Sequence, residues 1–455
     1  MFSRRIMNIL YGLMLLLPLP AAALTLSQAW FMALDNDPRY QAAVKEKLAG
    51  EEYISIGRAG LLPKVSMSYQ RAPRNWQRQQ YPQTNIFGQQ SQAVQHRQYA
   101  SNSGSLTLVQ PLFDYETYAR YRIGIVQKLQ SDERYRSNVI DLQNRLIDAW
   151  LALAEAEQQL QLAVLRRGAL DEQQQLAQRQ RHAGESTITD ITEARSALSI
   201  TIAGELEATE AVNTAREALS AITGAALSGE QPLPVLNDRP LLLPLVSTHY
   251  QYWEKKAFSR NPDILTAGLN VEEKRHEIES NRAGFFPRLQ LYAMHAENDS
   301  DNDNTVHQKY RTDSVGLRVS MDIFSGGGGS ASTRQAVARY EQAQYLHDAQ
   351  RLKTRGEIKN LLNKCLHAPV KIKAYTSAVE SARELVDATR KSIQAGQRTN
   401  LDLLNAEQTL FQARVELSVE KHAVIKAWVG LLAKTGEINS GSIMLLDTYF
   451  AEKSQ

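Results

Sequence analysis

The chain contains a single cysteine, Cys365. No intramolecular disulfide can form, which excludes a cross-linked scaffold even in an oxidising compartment. Long apolar runs are equally scarce. After residue 23 none reaches the about 18 residues of a membrane-spanning helix, and "RPLLLPLVS" (239–247) is too short and holds two prolines. Concentrated charge is missing too. The formal net charge is only +3, a poor endowment for nucleic-acid binding. No nucleophile triad, metal-ligand cluster or phosphate loop stands out. "HEIES" (276–280) lacks the second His of a zinc helix, and Cys365 and His367 have no third group to orient them. An enzyme has no residues here to carry it, and no cofactor is implied.

What is present begins with "MFSRRIMNILYGLMLLLPLPAAALTLSQ". Arg4 and Arg5 precede an apolar run from Ile9 to Leu19, and Ala21 and Ala23 give a small-x-small cleavage pattern before Leu24. Residues 1–23 read as a secretory signal peptide, because Pro18, Pro20 and the short run disfavour an anchor helix. Its removal takes two Arg and leaves about +1. No cysteine stands at the cleavage site, so an N-terminal lipid anchor is excluded. A membrane-spanning mature chain would have to span with strands.

The chain is written twice. "DNDPRYQAAVKEKLAGEEYISIGRAGLLPKVSM" (35–67) aligns without a gap on "SRNPDILTAGLNVEEKRHEIESNRAGFFPRLQL" (259–291), bringing Pro38 onto Pro262 and Pro63 onto Pro287. "AGESTITDI" (183–191) aligns on "AGQRTNLDL" (395–403), Thr187 on Thr399 and Asp190 on Asp402. Thr223-Gly224 falls likewise on Thr435-Gly436. The expected organisation is a first repeat over 24–227, a Pro-rich linker rather than a packed element over 228–247, a second repeat over 248–436 and a C-terminal tail over 437–455.

Each repeat opens with a helix (about 27–60 and 248–284) that ends at Arg-Ala-Gly-x-x-Pro. Strands follow at 64–70 and 105–113, and again at 288–296 and 314–324. The last, "SVGLRVSMDIF", alternates almost without fault: Val315, Leu317, Val319, Met321 and Ile323 on one side, Ser314, Gly316, Arg318, Ser320 and Asp322 on the other. A long helix from Tyr115 to about Arg181 then carries Leu142, Leu146, Ala149, Leu153, Ala156, Leu160 and Ala163 at a period of 3.5, a coiled-coil seam. Tyr375, Ala378, Ala382 and Leu385 continue such a seam in the second repeat, where Pro369 should kink or break the helix.

Four strands of nine or ten residues cannot close a barrel, and open edges in lipid leave backbone groups unpaired at several kcal/mol each. Three chains would supply twelve strands. Soluble hairpins packed on helices are the other reading of the same periodicity. The set "RAGLLPKV", "RAGFFPRL", "SMDIFSGG", "AGESTITDITEAR" and "AGQRTNLDLLNAEQTLFQAR" resembles the TolC family of outer-membrane export channels over essentially the whole mature chain. The resemblance implies a mainly α homotrimer: a 12-stranded membrane β-barrel, four strands per chain, continued by an α-helical coiled-coil barrel through the periplasm.

It also implies sites. Arg398 takes the position of a latch arginine and Asp402 that of an acidic constriction ring, with Thr189 and Asp190 as the partner hairpin. The second acidic position is Asn405, a departure that leaves one ring of three carboxylates. A solvated Asp402 with Arg398 as a local ion-pair partner is the plainer reading. Gly184, Thr187, Gly396 and Thr399 would shape the turns where a periplasmic adaptor docks, or the glycines are simple helix C-caps. Val315, Leu317, Val319, Met321 and Ile323 would face lipid.

Two polar loops remain. "AENDSDNDNTVHQ" (296–308) has EF-hand-like spacing at Asp299, Asp301 and Asp303, but Asn304 and Tyr310 stand where Gly and a bidentate Glu are needed, so it reads as a solvated hairpin loop. Residues 71–104 hold several Arg and no acid. They read as an ordinary polar loop, with contact to lipopolysaccharide phosphates as the sharper alternative.

The expected function is the exit duct of a type I secretion system. It would pass unfolded protein cargo from an inner-membrane ATP-binding-cassette (ABC) transporter through the adaptor. A tripartite drug or metal efflux duct is the alternative, and a soluble periplasmic coiled-coil protein a remote one.

Overall fold

Local chemistry divides each opening helix in two. In a computed structural model that describes residues 24–182, 187–226, 235–236, 241, 243–300, 308–395 and 397–451, α1 (Leu26–Asn36) stops one residue before α2 (Pro38–Ala59). In the second repeat α5 (Tyr250–Arg260) stops before α6 (Pro262–Arg282). The sequence reading expected one helix in each place. Proline at the first helical position has no N–H to lose, and the residue before it avoids helical dihedrals. Asp37 and Asn261 have φ of −69° and −67° with ψ near 120°. Asp37 Oδ1 accepts the Tyr40 N–H (2.7 Å), and Asn261 Oδ1 accepts those of Asp263 and Ile264 (3.0 Å each).

The order helix, helix, strand, strand, long helix, helix occurs twice. β1 (Lys64–Thr84) and β2 (Gln90–Phe113) precede α3 (Tyr115–His182) and α4 (Ile188–Thr223). After β3 (Val235–Leu236) and the second split pair come β4 (Arg288–Ser300), β5 (Gln308–Ser320), α7 (Gly328–Gln394) and α8 (Asn400–Lys434). α9 (Ser440–Asp447) and β6 (Phe450–Ala451) complete the described chain. Pro369 lies inside the unbroken α7. Leu362, Cys365 and Ala368 beside it are buried, so packing holds the turn that proline weakens. Residues 1–23 lie outside the described residues.

Two compact units arise, each drawn from both repeats. The first comprises Met1–Glu46, Glu133–Leu265 and Ala349–Gln455. Its core gathers Trp150, Trp253, Leu142, Leu146, Leu153, Ile425 and Leu431, all at most 2 % exposed, so the first seam is buried as its period requires. In the second repeat half of the expected seam holds, Ala382 buried and Tyr375 half-buried, while the alternate positions shift by one residue. Ala382, Val386 and Thr389 are buried while Ala378 and Leu385 are exposed. The Pro-rich stretch is not a free linker among its described residues. Leu236 is buried, β3 pairs with β6, Leu241, Leu243 and Leu245 pack on the core, and the Trp428 indole N–H donates to the Pro244 carbonyl at 3.0 Å. Proline removes donors but leaves neighbouring leucines free to bury.

The second unit comprises Lys47–Asp132 and Thr266–Asp348. Its sheet is antiparallel in the order β1-β2-β4-β5, leaving β1 and β5 as edges. The strands run 21, 24, 13 and 13 residues, longer than the nine or ten expected, and most of 71–104 is strand. β1 and β2 pair out to Thr84↔Gln90 and close through a turn at Asn85. There Gly88 adopts φ +79° and the Asn85 side chain accepts the Phe87 and Gln89 N–H groups. The sequence suggested a loop because this stretch lacks apolar alternation and contains Pro73 and Pro82. Pro73 falls within a bulge between Ala72 and Asn75 on an edge strand, where proline is tolerated. Residues 301–307 lie outside the described residues.

Candidate functional site

The turns singled out by sequence contain the same device twice. Thr187 caps α4 and Thr399 caps α8, both with extended dihedrals. Asp190 Oδ2 accepts the Thr187 N–H and hydroxyl at 2.8 Å each, and Asp402 Oδ2 accepts those of Thr399 at 2.9 Å each. In return each threonine Oγ1 accepts the aspartate N–H, at 3.2 and 3.4 Å. This is a capping box with Asp in the usual Glu place, and its charge meets the positive end of the helix dipole. Hydrogen bonds from the Thr399 backbone and then its hydroxyl hold the Asp402 carboxyl below the usual carboxylate range. The Arg398 charge adds to this and slight desolvation opposes it.

Only Oδ2 is used in the cap. Asp402 Oδ1 makes no hydrogen bond among the described residues and remains available to a cation. Arg398 is exposed immediately before the cap, and Thr189 is exposed in the first turn of α4. Arg398, Thr399 and Asp402 therefore share one turn, and Thr187, Thr189 and Asp190 the other. Gly184 and Gly396 lie outside the described residues. Asn405 is exposed and lines an open cavity of about 350 Å³ with Arg166, Leu170, Ile200, Leu401 and Glu407.

Residues that sequence reasoning passed over tie this end together. Arg166 donates to the Gln408 side chain and lies 4.8 Å over the Phe411 ring, joining α3 to α8. Burial pushes its pKa down, against the opposing pull of Glu407. Arg167 points to the other side and pairs with Glu205 of α4 at 2.8 Å. Buried Gln173 donates to the Asn400 carbonyl at 3.3 Å, one residue past the Thr399 cap. The adjacent arginines in a helix of Gln, Ala and Leu were the available signal.

Pairing register fixes the faces of the sheet. Val65, Leu108, Ala293 and Val315 stand in one row, and Gln110, Leu291 and Leu317 in the next. Val65, Val315, Leu317 and Val319 are 60–77 % exposed. The opposite face carries Ser66, Thr107, Ser314 and Arg318. Met321 and Ile323 fall beyond Ser320, where β5 ends before the glycine run, so they are exposed but not part of the strand. No helix among the described residues is long and apolar enough to cross a membrane. An exposed apolar sheet face of this kind is suited to lipid.

A family model described as outer membrane efflux protein matches residues 31–225 and 253–437. The chain is 40 % identical to the alkaline protease secretion protein AprF of Pseudomonas aeruginosa over 99 % of this chain and 92 % of that protein. It is 35 % identical to the proteases secretion protein PrtF of Dickeya chrysanthemi over 94 % and 92 %. The crystal structure of the Campylobacter jejuni CmeC outer membrane channel superposes with a TM-score of 0.76 over 94 % of this chain and 90 % of that one, at 16 % identity, a likeness of fold.

Proposed function

Because this chain belongs to the outer membrane efflux protein family, the TolC-type channels that its motifs resemble, we propose that it is the outer-membrane exit duct of a type I secretion system. The observation that carries this reading is its similarity, over nearly full length, to two proteins named for protease secretion. Secreted protease is accordingly the expected cargo class. It would be delivered unfolded by an inner-membrane ABC transporter and a periplasmic adaptor.

The unpaired edges of β1 and β5 supply the physical argument for assembly. In lipid each open edge leaves backbone groups unsatisfied, and a cyclic trimer removes every edge by joining β5 of one chain to β1 of the next. Three four-stranded sheets make twelve strands, apolar outside and polar within. Three copies of Asp402 around the axis then form a cation-attracting constriction at the periplasmic end, with Arg398 as its latch and the two capped turns as the adaptor's footing.

Efflux is the second reading, favoured by the family description itself. A paired assay on a deletion strain separates the two: the proteins of the culture medium, and the inhibitory concentrations of a panel of toxic compounds. Loss of one or a few proteins, a protease among them, with tolerance unchanged is the expected result. Collapse of tolerance with an unchanged medium would make efflux the function.

A further inference from the structure

The first hairpin outruns the sheet that carries it. β2 pairs with β4 only as far as Ser101↔Ser300, and β4 with β5 as far as Ser300↔Gln308. Past that row, among the described residues, β1 and β2 pair only with each other, from Asn75↔Tyr99 to Thr84↔Gln90. At about 3.3 Å per residue this ribbon extends roughly 30 Å. A two-stranded ribbon is marginal in water by itself, so a surface that covers one of its faces would stabilise it.

Register identifies the two faces. The bulge adds a residue to β1, while β2 runs on without interruption. The lipid-side alternation of Leu108 and Leu106 therefore continues through Asn102, Gln98 and His96, whose partners are Arg71, Trp76 and Arg78. Tyr69, just above the apolar rows, is 65 % exposed and Trp76 73 %. Tyr99, Arg97 and Gln95 face the other way. Residues 70–104 contain four Arg and no acid, and Arg71 and Arg78 make no ion pair among the described residues. The second hairpin differs. There Arg311 pairs with Glu297 at 2.8 Å, and the His295 ring hydrogen-bonds the Asp313 carboxylate at 2.5 Å.

Tyrosine and tryptophan settle at the headgroup level, where ring and polar edge are both satisfied. Arginine's planar fork engages phosphate oxygens in pairs. We propose that the outward face of this ribbon, through Tyr69, Arg71, Trp76 and Arg78, docks the phosphorylated sugar headgroups of the outer-leaflet glycolipid, the lipid A of lipopolysaccharide. The assignment holds for protein or small-molecule cargo, because it rests on the membrane placement of the sheet and not on what the duct carries.

Native mass spectrometry of the detergent-solubilised full-length trimer tests it, by titration with diphosphoryl lipid A, its dephosphorylated form and inorganic polyphosphate. Arg71→Gln/Arg78→Gln is expected to weaken diphosphoryl lipid A binding about thirtyfold, as two arginines at an anionic surface predict. Arg78→Gln alone should take about fivefold, with Arg78→Lys recovering most of it. Arg97→Gln removes the same charge beside it on the opposite face and should leave binding within about twofold. Equal losses in Arg97→Gln and Arg78→Gln would overturn the proposal, since net charge alone would then explain binding. So would equal binding of the dephosphorylated lipid, or displacement of lipid by polyphosphate. A lower trimer dissociation temperature for Arg71→Gln/Arg78→Gln with unchanged lipid titration would assign the face to a neighbouring copy and overturn it as well.

Discussion

In the first repeat Asp37 caps α2 and holds the Arg145 guanidinium with two hydrogen bonds of 2.9 and 3.1 Å. In the second, Asn261 caps α6 and donates to the Lys434 carbonyl at 2.9 Å. Around this difference the junctions match. Buried Thr223 and Thr435 each donate to the carbonyl four residues back. Gly224 and Gly436 follow at φ +70° and +65°. A side chain on Gly224 would strike Asn36, and one on Gly436 would strike Arg260, the residues just before Asp37 and Asn261. The hairpins share no such economy of change, with β1 and β2 much longer than β4 and β5. Duplication has kept the helix junctions and caps, where many groups must fit at once, and has let the hairpins diverge where a strand can lengthen into open space.

Breaking the junctions should give the largest effects. Asp37→Ala removes a cap and leaves Arg145 with Asp141 alone, so a loss of about 3 kcal/mol is expected, against about 1 kcal/mol for Asn261→Ala, read from denaturant midpoints followed by circular dichroism. Gly436→Ala meets a backbone carbonyl at 2.7 Å, and Gly224→Ala a side-chain carbon at 2.6 Å. Both also force alanine into left-handed dihedrals, so about 2–3 kcal/mol is expected for each, with Gly436→Ala the costlier.

Asp402→Asn keeps an acceptor for the cap and removes the charge. It should weaken divalent-cation block of single-channel current roughly tenfold. Asp190→Asn, the same change in the other repeat, should leave block intact, and equal effects would remove Asp402 from a constriction. Arg398→Ser should raise resting conductance, and equal conductance would count against a latch.

The smallest effects are those of pH. Burial alone would raise the Asp37 carboxyl, but Arg145 and the Tyr40 N–H hold it below its ordinary value of 3.8. Its contribution to stability is present above that value and is lost as pH falls through the lower folded one. The fall of unfolding free energy with acid should therefore flatten in Asp37→Asn and keep its wild-type slope in Asn261→Ala, which removes a cap but no titrating group. The cap lowers the Asp402 pKa, and convergence of three such carboxylates in the proposed constriction would raise it. Loss of divalent block only below the ordinary carboxylate range would show the cap prevailing and separate the three chains' carboxylates. Loss above it would place them together.

The duplication, the seam of α3, the two helical turns around Thr187 and Thr399 and the core of each strand were legible in sequence because each is written in neighbouring residues. The reach of β1 and β2 was not, since a strand polar on both faces carries no alternation. Pro369 misled because packing of Leu362, Cys365 and Ala368 outweighs local propensity. The Asp37–Arg145 pair joins residues far apart in the chain, and the roles of Arg166 and Arg167 depend on which faces of α3 meet α8 and α4. Adjacent arginines mark the place, but nothing in the local sequence names the partners.

The raw edges of β1 and β5 also have a genetic consequence. In the proposed trimer the sheet is finished only by two other copies, which makes every subunit hostage to its neighbours. A chain that assembles normally but narrows or jams the duct would spoil any complex it enters. With equal expression, only about one trimer in eight would contain three sound copies. Alleles of this kind should therefore be dominant, whereas alleles that damage the edges themselves, and so never enter a trimer, should be recessive.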